Sequence, residues 1–124
     1  MSYRTQSRLS VPAGDAIPAY RLTTLLNGEL ALADADDKPL GVTEYPAKEA
    51  GDLINVRLLN AEGTLEIEAS GDVAAGGEVA AYQLGMVQAA PASGARLIIG
   101  MALTGVTGGG IVEVVPYGYG HNLS

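Results

Sequence analysis

Arg21-Leu-Thr-Thr-Leu-Leu-Asn-Gly-Glu-Leu-Ala-Leu-Ala33 places two short apolar runs on either side of Asn27-Gly28. Asn and Gly are the residues that most readily adopt positive φ at both central positions of a type I′ turn, the turn whose twist matches the strands it joins. The stretch predicts a β-hairpin with strands over residues 21–26 and 29–33. Further along, Thr64-Leu-Glu-Ile-Glu-Ala69 alternates strictly, with Leu65, Ile67 and Ala69 on one face and Thr64, Glu66 and Glu68 on the other. Residues 53–59, 79–84, 96–102 and 111–115 add short runs rich in Leu and β-branched side chains. No segment keeps apolar residues at i, i+3, i+4 and i+7 for three turns, and the nearest helical stretch, residues 43–50, is broken by Pro46. The expectation is an all-β chain.

A length of 124 residues suits one domain. Its apolar share is 48% without a single Phe or Trp, so the interior must be built from Leu, Val, Ile and Ala with a few Tyr. Seventeen glycines punctuate the apolar runs as turns do. With no cysteine there is no disulfide, thiolate metal site or Cys nucleophile. No apolar run approaches the length of a membrane span, so a soluble protein with no membrane partner is expected. Fourteen acidic against seven basic residues give a net charge of -7, which argues against binding nucleic acid through its phosphates. Arg4 and Arg8 fall in the first ten residues, where there is no acid, so a basic arm precedes an acidic body.

The chain also matches itself. Ala13-Gly-Asp-Ala-Ile-Pro-Ala-Tyr-Arg-Leu22 lies over Ala75-Gly-Gly-Glu-Val-Ala-Ala-Tyr-Gln-Leu84, Pro39-Leu-Gly-Val-Thr43 over Ile98-Ile-Gly-Met-Ala102, and Gly51-Asp-Leu-Ile-Asn-Val56 over Gly109-Gly-Ile-Val-Glu-Val114. Three blocks in the same order predict two pseudo-repeats, residues 13–59 and 75–116, joined by residues 64–69. Neither buries a face alone, so the two should pack into a small Gly-rich β-barrel or sandwich with pseudo-symmetry, Tyr20 matching Tyr82 and Gly41 matching Gly100. The expected organisation is an extended N-terminal arm over residues 1–12, one β domain over 13–120 and a tail over 121–124.

Candidate chemistry is sparse. The lone histidine, His121, sits in Tyr117-Gly-Tyr-Gly-His-Asn-Leu-Ser124, a Gly-spaced terminus that offers a general base no rigid setting. Asp34-Ala-Asp-Asp-Lys38 suggests a calcium loop, but Lys38, Pro39 and Tyr45 stand where an EF-hand needs an acid, Gly and Glu, so a turn closed by its own Asx side chains is expected. Gly108-Gly-Gly110 lacks the Lys-Ser/Thr of a phosphate loop and precedes a strand, which predicts a tight turn. Glu66 and Glu68 share a strand face rather than opposing each other across a cleft. Neither a nucleophile elbow nor a metal or cofactor motif is present. The reading is a non-enzymatic protein with no cofactor, metal or small-molecule substrate.

Three segments, Ala75-Gly-Gly-Glu-Val79, Ile99-Gly-Met-Ala-Leu103 and Gly109-Gly-Ile-Val-Glu-Val114, are similar to the head decoration (capsid cement) proteins of tailed bacteriophages. In that family an Ala-Gly-Asp-x-Val turn, an Ile-Gly-Val-Ala strand and a Gly-x-x-Val-x-Val strand follow one another at these distances. The resemblance covers residues 12–117, with Gly77 in place of the family's Asp and Met101 in place of its Val. It implies a structural virion protein on the capsid exterior, a homotrimer at three-fold or local three-fold positions that clamps neighbouring major capsid protein subunits. In the arm, Tyr3, Arg4, Arg8 and Leu9 are the candidate contacts to capsid or an adjacent protomer. The competing class is a carbohydrate-binding module or a lipoyl- or biotinyl-like carrier, suggested by Ser70-Gly-Asp-Val-Ala-Ala-Gly-Gly-Glu-Val79. A carrier lysine lacks its motif at Lys38 and Lys48, and a sugar site calls for clustered aromatics where these tyrosines are scattered in sequence.

Overall fold

A computed structural model describes residues 8–34, 37–59, 63–90, 96–117 and 122–123. Its first five strands are β1 (Arg8–Pro12), β2 (Leu22–Leu26), β3 (Glu29–Leu32), β4 (Gly41–Thr43) and β5 (Leu53–Leu58). The other six are β6 (Leu65–Ala69), β7 (Glu78–Ala81), β8 (Val87–Ala89), β9 (Arg96–Ala102), β10 (Gly110–Pro116) and β11 (Asn122–Leu123). The only helical piece among the described residues is a 3-10 turn at Gln83–Gly85, so the chain is all-β, as its apolar patterning predicts.

Asn27 and Gly28 take φ values of 53° and 80°, and they join β2 to β3 with Leu25 opposite Leu30 and Leu26 opposite Glu29. That is the type I′ hairpin the dipeptide dictates. The strands form two sheets. The first runs β1-β5-β4-β2-β3, and a parallel bridge from Ala13 to Leu30 brings its two ends together. The second runs β10-β6-β8-β7-β9-β11, and an additional β10–β9 pairing closes five of its strands into a ring, leaving β11 outside.

Both sheets follow one pairing scheme. β1–β5, β5–β4, β4–β2 and β2–β3 correspond to β6–β10, β10–β9, β9–β7 and β7–β8, all antiparallel. The closing contacts, Ala13 to Leu30 and Ala69 to Val87, are both parallel. Antiparallel bridges Ile17–Ala47 and Val73–Val106 tie equivalent loops. Gly41 and Gly100 hold the same post: a Cβ on either would fall on a backbone carbonyl, of Arg57 and Val115 respectively. Only Gly fits such an approach.

This register corrects three expectations. Tyr20 corresponds to Gly76, both at positive φ (61° and 86°), and not to Tyr82. The matched phrase, Ala-Gly-x-x followed by Ile or Val, misled because the equivalent turns are Ala13-Gly-Asp-Ala-Ile17 and Ala69-Ser-Gly-Asp-Val73, each running from its closing contact to its loop bridge. Each unit also begins one strand earlier than expected. Residues 65–69 are not a joiner but the first strand of the second unit, since Leu65, Ile67 and Ala69 are buried and pair with β10. By the same token residues 8–12 of the expected arm form β1 against β5. Finally, the strand expected over 79–84 stops at Ala81, because Leu84 (φ 57°) and Gly85 (φ 75°) turn the chain.

Two apolar clusters fill the interior. Val11, Ala13, Ile17, Leu30, Ala47, Ile54 and Val56 form one inside the first unit. The other gathers the second unit's inward residues, among them Leu65, Ile67, Val112 and Val114, and extends into the first unit through Leu22, Ala33, Val42 and Leu59. Fully burying a Leu, Ile or Val side chain contributes about 1.5–3 kcal/mol, so this shared cluster binds the units to each other as well as filling them.

Candidate functional site

The units meet at a joint made by the second unit's hairpin. Its turn, between β7 and β8, reaches the first unit: the Gly85 N–H donates to the Ala33 carbonyl (2.7 Å) and the Leu84 N–H to Asp34 Oδ1 (3.1 Å). Arg21 Nη1 donates to the Leu84 carbonyl (3.0 Å), while its Nη2 lies 3.4 Å from Glu68 Oε1. The Glu68 N–H donates to the Tyr20 carbonyl (2.9 Å). Gly85 has no room for a side chain, since a Cβ would lie 2.6 Å from the Leu22 carbonyl oxygen.

The equivalent hairpin of the first unit, β2–β3, has no such seat among the described residues. Leu25 and Leu26 at its tip are 52% and 61% exposed. Leu25 and Leu26 project to opposite faces of the hairpin's end, and each leaves apolar surface in water that is suited to contact. Leu53, 72% exposed on β5, adds a further apolar side chain to the outside of this unit.

A second feature is an open groove of about 730 Å³ between the units. Tyr20, Tyr45, Asn55 and Arg57 line it from the first unit, and Thr64, Glu66 and Glu113 from the second. Tyr20 is placed there by its N–H bond to the Thr43 carbonyl (2.7 Å), and Tyr45 lies just past the end of β4, after Glu44. Thr64 Oγ1 donates to Glu113 Oε2 (2.6 Å), and Ser10 Oγ donates to Asn55 Oδ1 (2.7 Å). Arg57 is buried, with Nη1 donating to the Leu58 carbonyl (2.9 Å). Sequence reading missed this groove because its tyrosines and carboxylates lie far apart along the chain.

The arm residues divide. Tyr3 and Arg4 lie outside the described residues, whereas Arg8 and Leu9 stand in β1, opposite Arg57 and Val56. His121 also lies outside them. The acidic turn closes on itself as read, the Asp34 N–H donating to Asp37 Oδ2 (2.8 Å) and the Asp37 N–H to the Asp34 carbonyl (3.1 Å). No group of three or more metal-ligating side chains forms among the described residues. Gly108, Gly109 and Gly110 all have positive φ, and the Gly108 N–H donates to Asp72 Oδ1 (2.6 Å), a tight turn rather than an anion cradle. Glu66 and Glu68 part company, one lining the groove and the other pairing with Arg21.

No protein family and no curated protein matches the sequence. Among solved structures, the chain resembles the N base of the head fiber protein gp8.5 of bacteriophage phi29. The likeness is one of fold. It has a TM-score of 0.73 over 92% of this chain and 97% of that one, at 19% sequence identity.

Proposed function

We propose that this chain is a structural, non-enzymatic protein of a phage virion, carried on the outside of the head as a homotrimer that binds the major capsid protein. The observation that carries this reading is the fold shared with a phage head fiber base over nearly the whole chain. It agrees with the decoration-protein resemblance, which rests on different grounds, the turn and strand residues of the sequence. We further propose that the shared pairing scheme reflects duplication of a single five-stranded unit.

The two hairpins support self-association. One is seated on the neighbouring unit within the chain, and its counterpart, bearing Leu25 and Leu26, is exposed. Seating that hairpin on a second copy repeats a head-to-tail contact, which closes into a ring when the rotation permits. Three chains then place six similar barrels around one axis. The arm proposal narrows to the residues ahead of β1, Tyr3 and Arg4, since Arg8 and Leu9 belong to a strand of the barrel.

Incubating purified heads that lack the protein with the full-length chain, then with a variant lacking residues 2–7, tests this reading. Saturable occupancy is expected, weakened by the deletion and by salt as a contact through arginine should be. No occupancy by the full-length protein refutes the head-binding assignment. Equal occupancy by the truncated protein refutes the arm and moves the contact to the barrel surface.

A further inference from the structure

We infer that the groove between the two units binds a neutral oligosaccharide. Tyr20 and Tyr45 both line it, and Tyr45 is 70% exposed although nothing in the fold requires an aromatic residue in water. The phenol oxygens of Tyr20 and Tyr45 and the Glu66 carboxylate have no partner among the described residues. Asn55 accepts from Ser10 through Oδ1, leaving both amide N–H groups to donate. Glu113 keeps Oε1 after Oε2 accepts from Thr64.

This combination fits sugar chemistry. The C–H bonds of a pyranose face carry slight positive charge and lie well on the negative face of an aromatic ring. Its hydroxyls both donate and accept, so they match a wall mixing carboxylates, an amide and phenols. The volume falls within the range of small-molecule sites, and the open form admits a chain rather than a single enclosed ring. Glu66 and Glu113 bring carboxylate oxygens to this wall, which opposes sulfated, phosphorylated or uronic saccharides. A cationic peptide would suit the carboxylates, but the Asn55 amide donors and Arg57 give a cation nothing to bind. The inference is independent of the virion assignment, since it concerns a face of the isolated chain.

Titration of the ¹⁵N-labelled full-length protein with cellotetraose, maltotetraose, chitotetraose and, separately, tetra-arginine tests it. At least one of the oligosaccharides is expected to give saturable amide shifts centred on residues 43–45, 55, 64–66 and 113, with Kd on the order of 1 mM. Tyr45→Ala should weaken binding at least about tenfold, and Tyr45→Phe, which keeps the ring, by less than about threefold. Because Tyr45 is exposed, the remaining amide spectrum should stay unchanged in both variants and report an intact fold. The inference is overturned if none of the three saccharides gives saturable shifts at the groove up to about 20 mM, if Tyr45→Ala binds as well as the parent, or if only tetra-arginine binds. Loss of head binding would not touch it.

Discussion

Gly85→Ala probes the joint between the units, and Gly28→Ala supplies its control. Both glycines sit in hairpin turns at nearly the same positive φ, 75° and 80°. An L-residue held there costs about 1–2 kcal/mol. A Cβ on Gly28 meets nothing within 4 Å, whereas on Gly85 it lies 2.6 Å from the Leu22 carbonyl oxygen and 3.0 Å from both Arg21 Cβ and Leu32 Cδ2. Relief of that overlap requires the hairpin to lift, at a further cost of about 1–3 kcal/mol typical of overpacking. The lift would also stretch the Gly85 N–H bond to Ala33. The expected totals are about 1–2 kcal/mol for Gly28→Ala and about 2–5 for Gly85→Ala. In urea, where slopes are about 1–3 kcal/mol per molar, the second variant should unfold at a midpoint lower than the first by roughly 1 M. Equal midpoints would refute the close seating of the second hairpin on the first unit.

Ile67→Ala removes a fully buried side chain from the shared cluster and should cost about 2–5 kcal/mol in the same assay. Leu25→Ser with Leu26→Ser should leave the unfolding midpoint nearly unchanged but shift the sedimenting species from three times 12.6 kDa toward one, if the exposed hairpin joins copies. Tyr117 should ionise above the usual value near 10, because burial around the phenol disfavours its charged form and Glu78 both accepts its hydroxyl proton in a hydrogen bond and repels the phenolate. As the folded-state pKa is the higher one, the stabilisation is complete below about pH 10 and is lost as pH rises through the folded value. Phenolate absorbance should show this tyrosine titrating late, and Glu78→Gln should bring it earlier.

Local chemistry made much of the fold legible. Asn27-Gly28 determined its own turn, the alternation of residues 65–69 marked the buried face, and Gly41 and Gly100 betrayed a shared backbone approach. What escaped was set by tertiary contact. β1 alternates only over Arg8-Leu9-Ser10-Val11, too short a run to separate a strand from an arm, and it is fixed as a strand by the edge that β5 offers it. β8 is three residues long and joins the sheet partly through one parallel contact to β6, which no local pattern announces. Tyr20 and Gly76 share a left-handed position although one is a large aromatic residue, so matching residue types aligned the units out of register. The groove was invisible for a related reason: Tyr20, Tyr45, Glu66 and Glu113 become neighbours only when the two units pack.

The central proposal, that the chain works by contact on a phage head, is tested most directly by reconstructing, at side-chain resolution, purified phage particles whose genome carries this sequence. The account predicts density for the paired barrels on the outer surface of the head, three chains about each axis, with the β2–β3 hairpin seated on a neighbouring copy and the residues ahead of β1 running onto capsid subunits. Absence of the chain from purified particles, by mass spectrometry of the same preparation, would contradict it.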